Sequence, residues 1–224
     1  NQSFKISYPE FLKYFKNLKT ISYHNLVIGI NFTYGWMPTI LDFRSVNYKE
    51  AINILNNAKK GIIPSIEQLE LLKGLFNNSL VGTSKLLHFI NPEVFAIWDS
   101  RVLRYITGKE PTTNIGNCRL YLKFLDNCKY ITQSKEFDRI HKSICKKTGY
   151  KVTKLRTIDL VMYLYGGKNQ VVLSWYRFTE FKRETLRTKM KNALISFVGT
   201  NDKGTDSEGK KSEGAIITAI KERK

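Results

Sequence analysis

The sequence predicts a mostly α fold, a compact multi-helix domain, on three observations. Apolar residues recur three and four positions apart almost throughout. Serine and threonine caps and glycine stops bracket those runs at ordinary helix lengths. The links are as short as a compact helical domain uses. Only Val171–Phe178, rich in β-branched and aromatic side chains, reads as a short strand or an extended connector.

Pro9, at a first-turn position, opens a segment that carries Phe11, Leu12, Tyr14, Phe15 and Leu18. The most apolar stretch, Leu26–Leu41, is shorter than the roughly 20 residues a membrane span requires, and Asn31, Gly35 and Pro38 interrupt it. It predicts a buried helix ending near Met37, because proline disfavours helical geometry in the residue before it. Tyr48–Lys60 sets Ala51, Ile52, Ile54 and Leu55 at helical spacing, and Gly61 stops it. Ser65-Ile66-Glu67-Gln68 is a capping box, in which serine accepts a helix amide and glutamine reaches back. The helix after it offers Ile66, Leu69, Leu72, Leu75 and Phe76 to a core and dissolves at Asn77-Asn78-Ser79. Further helices are expected over Ser84–Ile90, Ser100–Ile106, Gly116–Lys129, Ser134–Lys147 and Thr153–Tyr165, the last with a left-handed stop at Gly166-Gly167. Residues 179–198 are helical again, 199–214 a flexible polar loop and 215–224 a short amphipathic segment. On this reading residues 1–198 are one domain, with N-terminal helices through residue 76 and a second half from residue 77.

With 42% hydrophobic and 12% aromatic residues, the 224-residue chain is not a disordered one. Its 37 Lys and Arg stand against 19 Asp and Glu, a net charge of +18. Such an excess repels itself in the folded state, and a polyanionic partner accounts for it. The excess is concentrated: residues 101–156 hold 14 cations against four acids, net +10. Tyr105, Tyr121, Tyr130 and Tyr150 lie among those cations, as in surfaces that track a backbone and stack bases. A basic face docking an acidic protein is the competing reading, as is a merely solvated one.

Cys118, Cys128 and Cys145 are too few and too widely spaced for a disulfide framework or a metal knuckle. They fit a reducing compartment, and the expected setting is a bacterial or viral-host cytoplasm. His24, His88 and His141 lie far apart, so neither metal nor organic cofactor is expected. No secretion-signal pattern opens the chain, no membrane association is expected, and the absent initiator Met reads as a trimmed or a processed end.

The passage Leu80–Ile106 carries the chemistry. Gly82 permits a tight approach or a positive φ, and Thr83 or Ser84 is a good helix cap. Lys85 then falls in the first turn, where the helix dipole disfavours an ammonium and apolar neighbours desolvate it. A neutral amine is a nucleophile suited to Schiff-base chemistry. A surface lysine is the plainer alternative. Asp99, fourteen residues on, reads as the cap of the next helix, ionised and able to face positive charge developing on a sugar.

Gly82-Thr83 followed closely by Lys85, with Asp99 beyond an apolar turn, resembles the helix-hairpin-helix DNA glycosylases of the 8-oxoguanine DNA glycosylase type. The string Ser84–Val102 is similar to compact bacterial and archaeal members, whose relatives include proteins that excise modified bases from phage DNA. Tyr34–Pro38 and Arg156–Leu160 look like that group too. The hairpin departs from the family in keeping one glycine where two are usual. The four-thiolate iron–sulfur cluster of endonuclease-III-like relatives has no counterpart in the cysteine spacing.

The resemblance implies a monomeric enzyme acting on double-stranded DNA that contains a damaged or modified base, such as 8-oxoguanine. It carries the roles of nucleophile and charge-stabilising carboxylate to Lys85 and Asp99, and phosphate contact to Gly82, Thr83 and Ser84. We expect Arg101 and Arg104 nearest the DNA backbone, and Trp36, His88 and Trp98 around the flipped base, although large aromatics and a lone histidine are also ordinary core residues. A non-catalytic DNA- or RNA-binding helical module is the alternative.

Overall fold

The computed structural model describes residues 2–37, 47–107, 113–133 and 135–166. Among them stand nine α-helices and two 3₁₀ turns, with no strand, so the mostly α class holds. None of these helices is long and apolar enough to cross a membrane. The sequence-predicted elements at 171–178, 179–198, 199–214 and 215–224 lie outside the described residues.

Helix α1 (Gln2–Asn17) runs through Pro9 instead of starting there. An interior proline forfeits one helical hydrogen bond, but Tyr8 and Phe15, both buried, hold this helix on the core. Ser22 and Asn25 form a full capping box for α2 (Tyr23–Tyr34), which ends three residues short of Met37. Helix α3 (Tyr48–Lys59) is capped by Asn47, and Gly61 follows with φ +94°. The box at Ser65 and Gln68 forms as expected and opens α4 (Ile66–Lys73). A 3₁₀ turn over Gly74–Phe76 follows, and Asn77 and Asn78 then take left-handed backbone, φ 51° and 62°.

That left-handed pair turns the chain early. Helix α5 therefore begins at Leu80 and runs to Ile90, capped by Ser79, whose Oγ accepts the Gly82 N–H at 3.3 Å. Thr83 and Ser84, read from sequence as caps, lie inside the helix. Gly82 is helical as well. It is required by packing, since a Cβ there would lie 2.7 Å from the Phe76 ring. All of α5 except Val81 is buried, its polar Thr83, Ser84, Lys85 and His88 included. Helices α1 to α4 pack around it.

The second half comprises α6 (Ser100–Thr107), a 3₁₀ turn (Thr113–Gly116), α7 (Cys118–Ile131), α8 (Lys135–Thr148) and α9 (Lys154–Tyr165). Helix α6 packs along α9, and α7 and α8 flank α9 as well. Gly166 ends α9 with φ −82°, which is not left-handed, and Gly167, the other residue of the expected stop, lies outside the described residues. The lack of a side chain at Gly166 serves close approach instead: a Cβ would sit 1.9 Å from the Arg101 carbonyl oxygen.

Candidate active site around Lys85

Lys85 is the sixth residue of α5, in its second turn. The dipole at a helix start fades within the first turn, so that half of the sequence-based reason for a lowered pKa does not apply. Desolvation, the other half, does. The side chain is 8% exposed, and its Nζ donates to the Trp36 carbonyl at 3.0 Å, in the turn that follows α2. Desolvation holds the ammonium below the usual lysine range; the Asp99 carboxylate opposes that shift and the Arg156 guanidinium adds to it.

Asp99 caps α6, as the sequence predicts. Its Oδ1 accepts the Arg101 N–H at 2.9 Å, and its carbonyl accepts the Leu103 N–H at 2.9 Å. Lys85 and Asp99 form no ion pair with each other, although the amine feels the carboxylate's charge. Their relative placement is fixed by their neighbours. Ser84 Oγ accepts the Trp98 N–H at 3.0 Å, tying the residue before Lys85 to the residue before Asp99.

The extended segment 95–99 is tied down at two further points. His88 Nδ1 donates to the Phe95 carbonyl at 2.7 Å, and the Ile97 N–H donates to Asp159 Oδ2 at 2.8 Å. Asp159 Oδ1 meanwhile takes Arg156 Nη1 at 2.5 Å. Arg156 also lies over the Tyr8 ring, 5.2 Å from its centroid. Burial pushes the Asp159 carboxyl up to about 6, against the pull of Arg156. Sequence reasoning singled out Arg156–Leu160 only as a resemblance. The role of Arg156 and Asp159 in framing residues 95–99 spans some sixty positions and leaves no local signal.

Other expected site residues are used differently. The Gly82 amide is taken by the helix cap, Thr83 Oγ1 donates to the Ser79 carbonyl at 3.0 Å, and Thr83 and Ser84 are fully buried. These three do not present a phosphate-binding surface. Trp98 is core: it is 0% exposed, its indole donates to the Ile115 carbonyl, and its ring lies 5.2 Å from Phe124. His88 is core as well. Its Nε2 accepts the Tyr8 hydroxyl at 2.8 Å, and burial pushes its pKa down to about 3. Arg101 lies over the Tyr163 ring at 4.6 Å, and Arg104 Nη1 donates to the Gly166 carbonyl at 2.7 Å, so both fasten α6 to the end of α9. Tyr105 and Tyr121 are buried too, which leaves Tyr130 exposed and Tyr150 partly so.

Trp36 is the ring the structure does bring to the lysine. It is half-buried, stacks on Tyr8 at 5.7 Å, donates to Ser7 Oγ and supplies the carbonyl that holds Lys85. The three cysteines are free, and no group of metal-ligating side chains occurs among the described residues. A separate open cavity of about 560 Å³, lined by Glu70, Lys73, Asn78, Cys118 and Arg119 among others, contains neither Lys85 nor Asp99.

The chain matches no protein-family model, no curated protein and no solved structure.

Proposed function

We propose that this protein is a DNA glycosylase that excises a damaged or modified base from double-stranded DNA through Lys85 and Asp99. The observation that supports this most is a buried lysine amine with a lowered pKa, tied by the Ser84–Trp98 hydrogen bond to a helix-capping carboxylate. The target nucleotide must leave the stack for its C1′–N bond to be reached. That bond breaks with its electron pair passing to the base, which takes up a proton. Positive charge gathers at C1′ and the ring oxygen, facing Asp99. The Lys85 lone pair bonds to C1′, the nitrogen loses its proton, and ring opening gives an imine. Loss of a proton from C2′ then expels the 3′ phosphate.

Borohydride reduces such an imine to a stable amine. Duplexes that each carry one modified base (8-oxoguanine and bulky modified cytosines first) are incubated with protein and borohydride, then resolved on a denaturing gel. A covalent adduct is expected with the cognate base. Lys85→Gln abolishes it while leaving DNA binding within about threefold. The alternative, a basic nucleic-acid-binding module without chemistry, draws support from the exposed cations of α7 and α8. It expects no adduct, and it expects Lys85→Arg to preserve function, because a guanidinium replaces an ammonium at phosphate but not as a nucleophile.

A further inference from the structure

The cations expected at the DNA backbone, Arg101 and Arg104, are engaged with α9. The charge excess of residues 101–156 must therefore meet its partner elsewhere. We infer that the outer face of α8, through Arg139, Lys142 and Lys146, grips the phosphate backbone of duplex DNA without reading its sequence. The inference rests on the reading of the protein as DNA-acting.

The three residues are exposed and stand at positions i, i+3 and i+7 of one helix. They form one ridge, about 10 Å long at 1.5 Å rise per residue. Phe137, Ile140 and Ile144 occupy the opposite face at 1–3% exposure. Asp138, the neighbouring carboxylate, is paired with Lys154 Nζ at 2.5 Å, and its charge also reaches Lys142, which leaves Arg139 and Lys146 without a carboxylate partner among the described ion pairs. No ion pair among the described residues involves Arg139, Lys142 or Lys146.

The apolar face decides between two polyanions. A helix that binds a lipid surface inserts its apolar side between headgroups. That side of α8 is spent on the core, so the helix offers charge alone, which suits a phosphate backbone. The ridge is also firmly mounted: His141 Nδ1 and Thr157 Oγ1, 2.9 Å apart, join α8 to α9, the helix whose Asp159 frames residues 95–99.

The test replaces the ridge in the full chain with Arg139→Gln, Lys142→Gln and Lys146→Gln, keeping good helix formers at exposed positions. A control of equal charge change is Lys13→Gln, Lys16→Gln and Lys19→Gln, all exposed near the α1 terminus. Anisotropy with an unmodified fluorescent duplex gives log Kobs against log salt. Each phosphate contact contributes a slope of about −0.9, so the ridge variant should lose about 3 from the slope's magnitude and bind roughly tenfold or more weakly. The control should keep the wild-type slope. Where circular dichroism shows the triple variant unfolded, single substitutions replace it, each expected to remove about 1. An unchanged slope, or an equal loss in the control, overturns the proposal. So does an unchanged DNA slope together with lost binding to phosphatidylserine vesicles, which would assign the ridge to lipid. Adduct trapping is scored separately. A ridge-dependent slope with no adduct on any modified duplex leaves this surface standing and removes the glycosylase reading. An adduct with a ridge-independent slope does the reverse.

Discussion

Acidification should loosen the centre of this fold through one imidazole, and the size of the effect follows from His88. The ring is 0% exposed, donates from Nδ1 to the Phe95 carbonyl and accepts the Tyr8 hydroxyl at Nε2, so both nitrogens are committed to the neutral form. Its pKa falls from 6.5 to about 3 in the folded chain, chiefly through desolvation, with Arg156 adding to it. The unfolded chain takes up a proton below 6.5 that the folded chain refuses until about 3. Stability that is complete above 6.5 is therefore lost as pH falls, at about 1.4 kcal/mol per unit. Between pH 7 and pH 5 the loss through His88 is about 2 kcal/mol. Asp159 works in the opposite sense: burial lifts its pKa to about 6, so below that pH the folded chain gains a proton that an unfolded carboxyl near 3.8 does not. That contribution, and those of the surface carboxylates, are common to wild type and His88→Gln and cancel on comparison. Urea unfolding of both proteins at pH 7 and pH 5, at fixed ionic strength, is the assay. Wild type should lose about 2 kcal/mol more than the variant across that interval, a difference of about 1 M in midpoint for an m value near 2 kcal/mol/M. Parallel losses would show that the imidazole is solvated or already charged in the folded state, and the argument would fail.

Two further substitutions test the frame. Gly166→Ala forces a methyl to within 1.9 Å of a backbone oxygen of Arg101; α6 and α9 must part, at about 3 kcal/mol or more, and calorimetry should show a Tm lower by roughly 6–12 °C. Asp159→Asn leaves the half-buried Arg156 without its anion and should cost about 2–4 kcal/mol in urea unfolding, less than for a fully buried pair because Arg156 keeps some solvent contact; adding Arg156→Met should return much of that loss, and no recovery would mean that the pair is not the source of the cost.

The sequence revealed most where a local signal acts locally. The capping box at Ser65 and Gln68 formed as written, Asp99 capped α6, and the boundaries of α3, α6, α8 and α9 fell within about two residues of expectation. It misled where a residue's meaning lies in its tertiary surroundings. Gly82 was read as a tight approach or a positive φ, and only the first holds; with Thr83 and Ser84 taken as caps, the start of α5 was placed too late. The Phe76 ring occupies the space its side chain would fill, so the glycine is a helix residue. Pro9 looked like a beginning, yet packing carries α1 through it. Gly166 was rightly taken as special for the wrong reason, because the approach of Arg101 cannot be read from residues sixty positions away. Arg101 and Arg104 were assigned by charge, but a half-buried cation takes the nearest ring or carbonyl, and α9 offers both.

The relocation of Lys85 from the first turn of α5 to the second changes what lowers its pKa. A helix dipole is a property of one helix and survives a change of neighbours. Desolvation belongs to whatever covers the amine, and Trp36 at the end of α2 contributes to that cover. The carbonyl there also does something that a dipole does not. It accepts an N–H of the amine at 3.0 Å and so fixes where Nζ stands. The carboxylate whose charge reaches the amine is held on a separate segment by Ser84 and Asp159. Two helices and one extended segment thus set where the amine and the carboxylate stand.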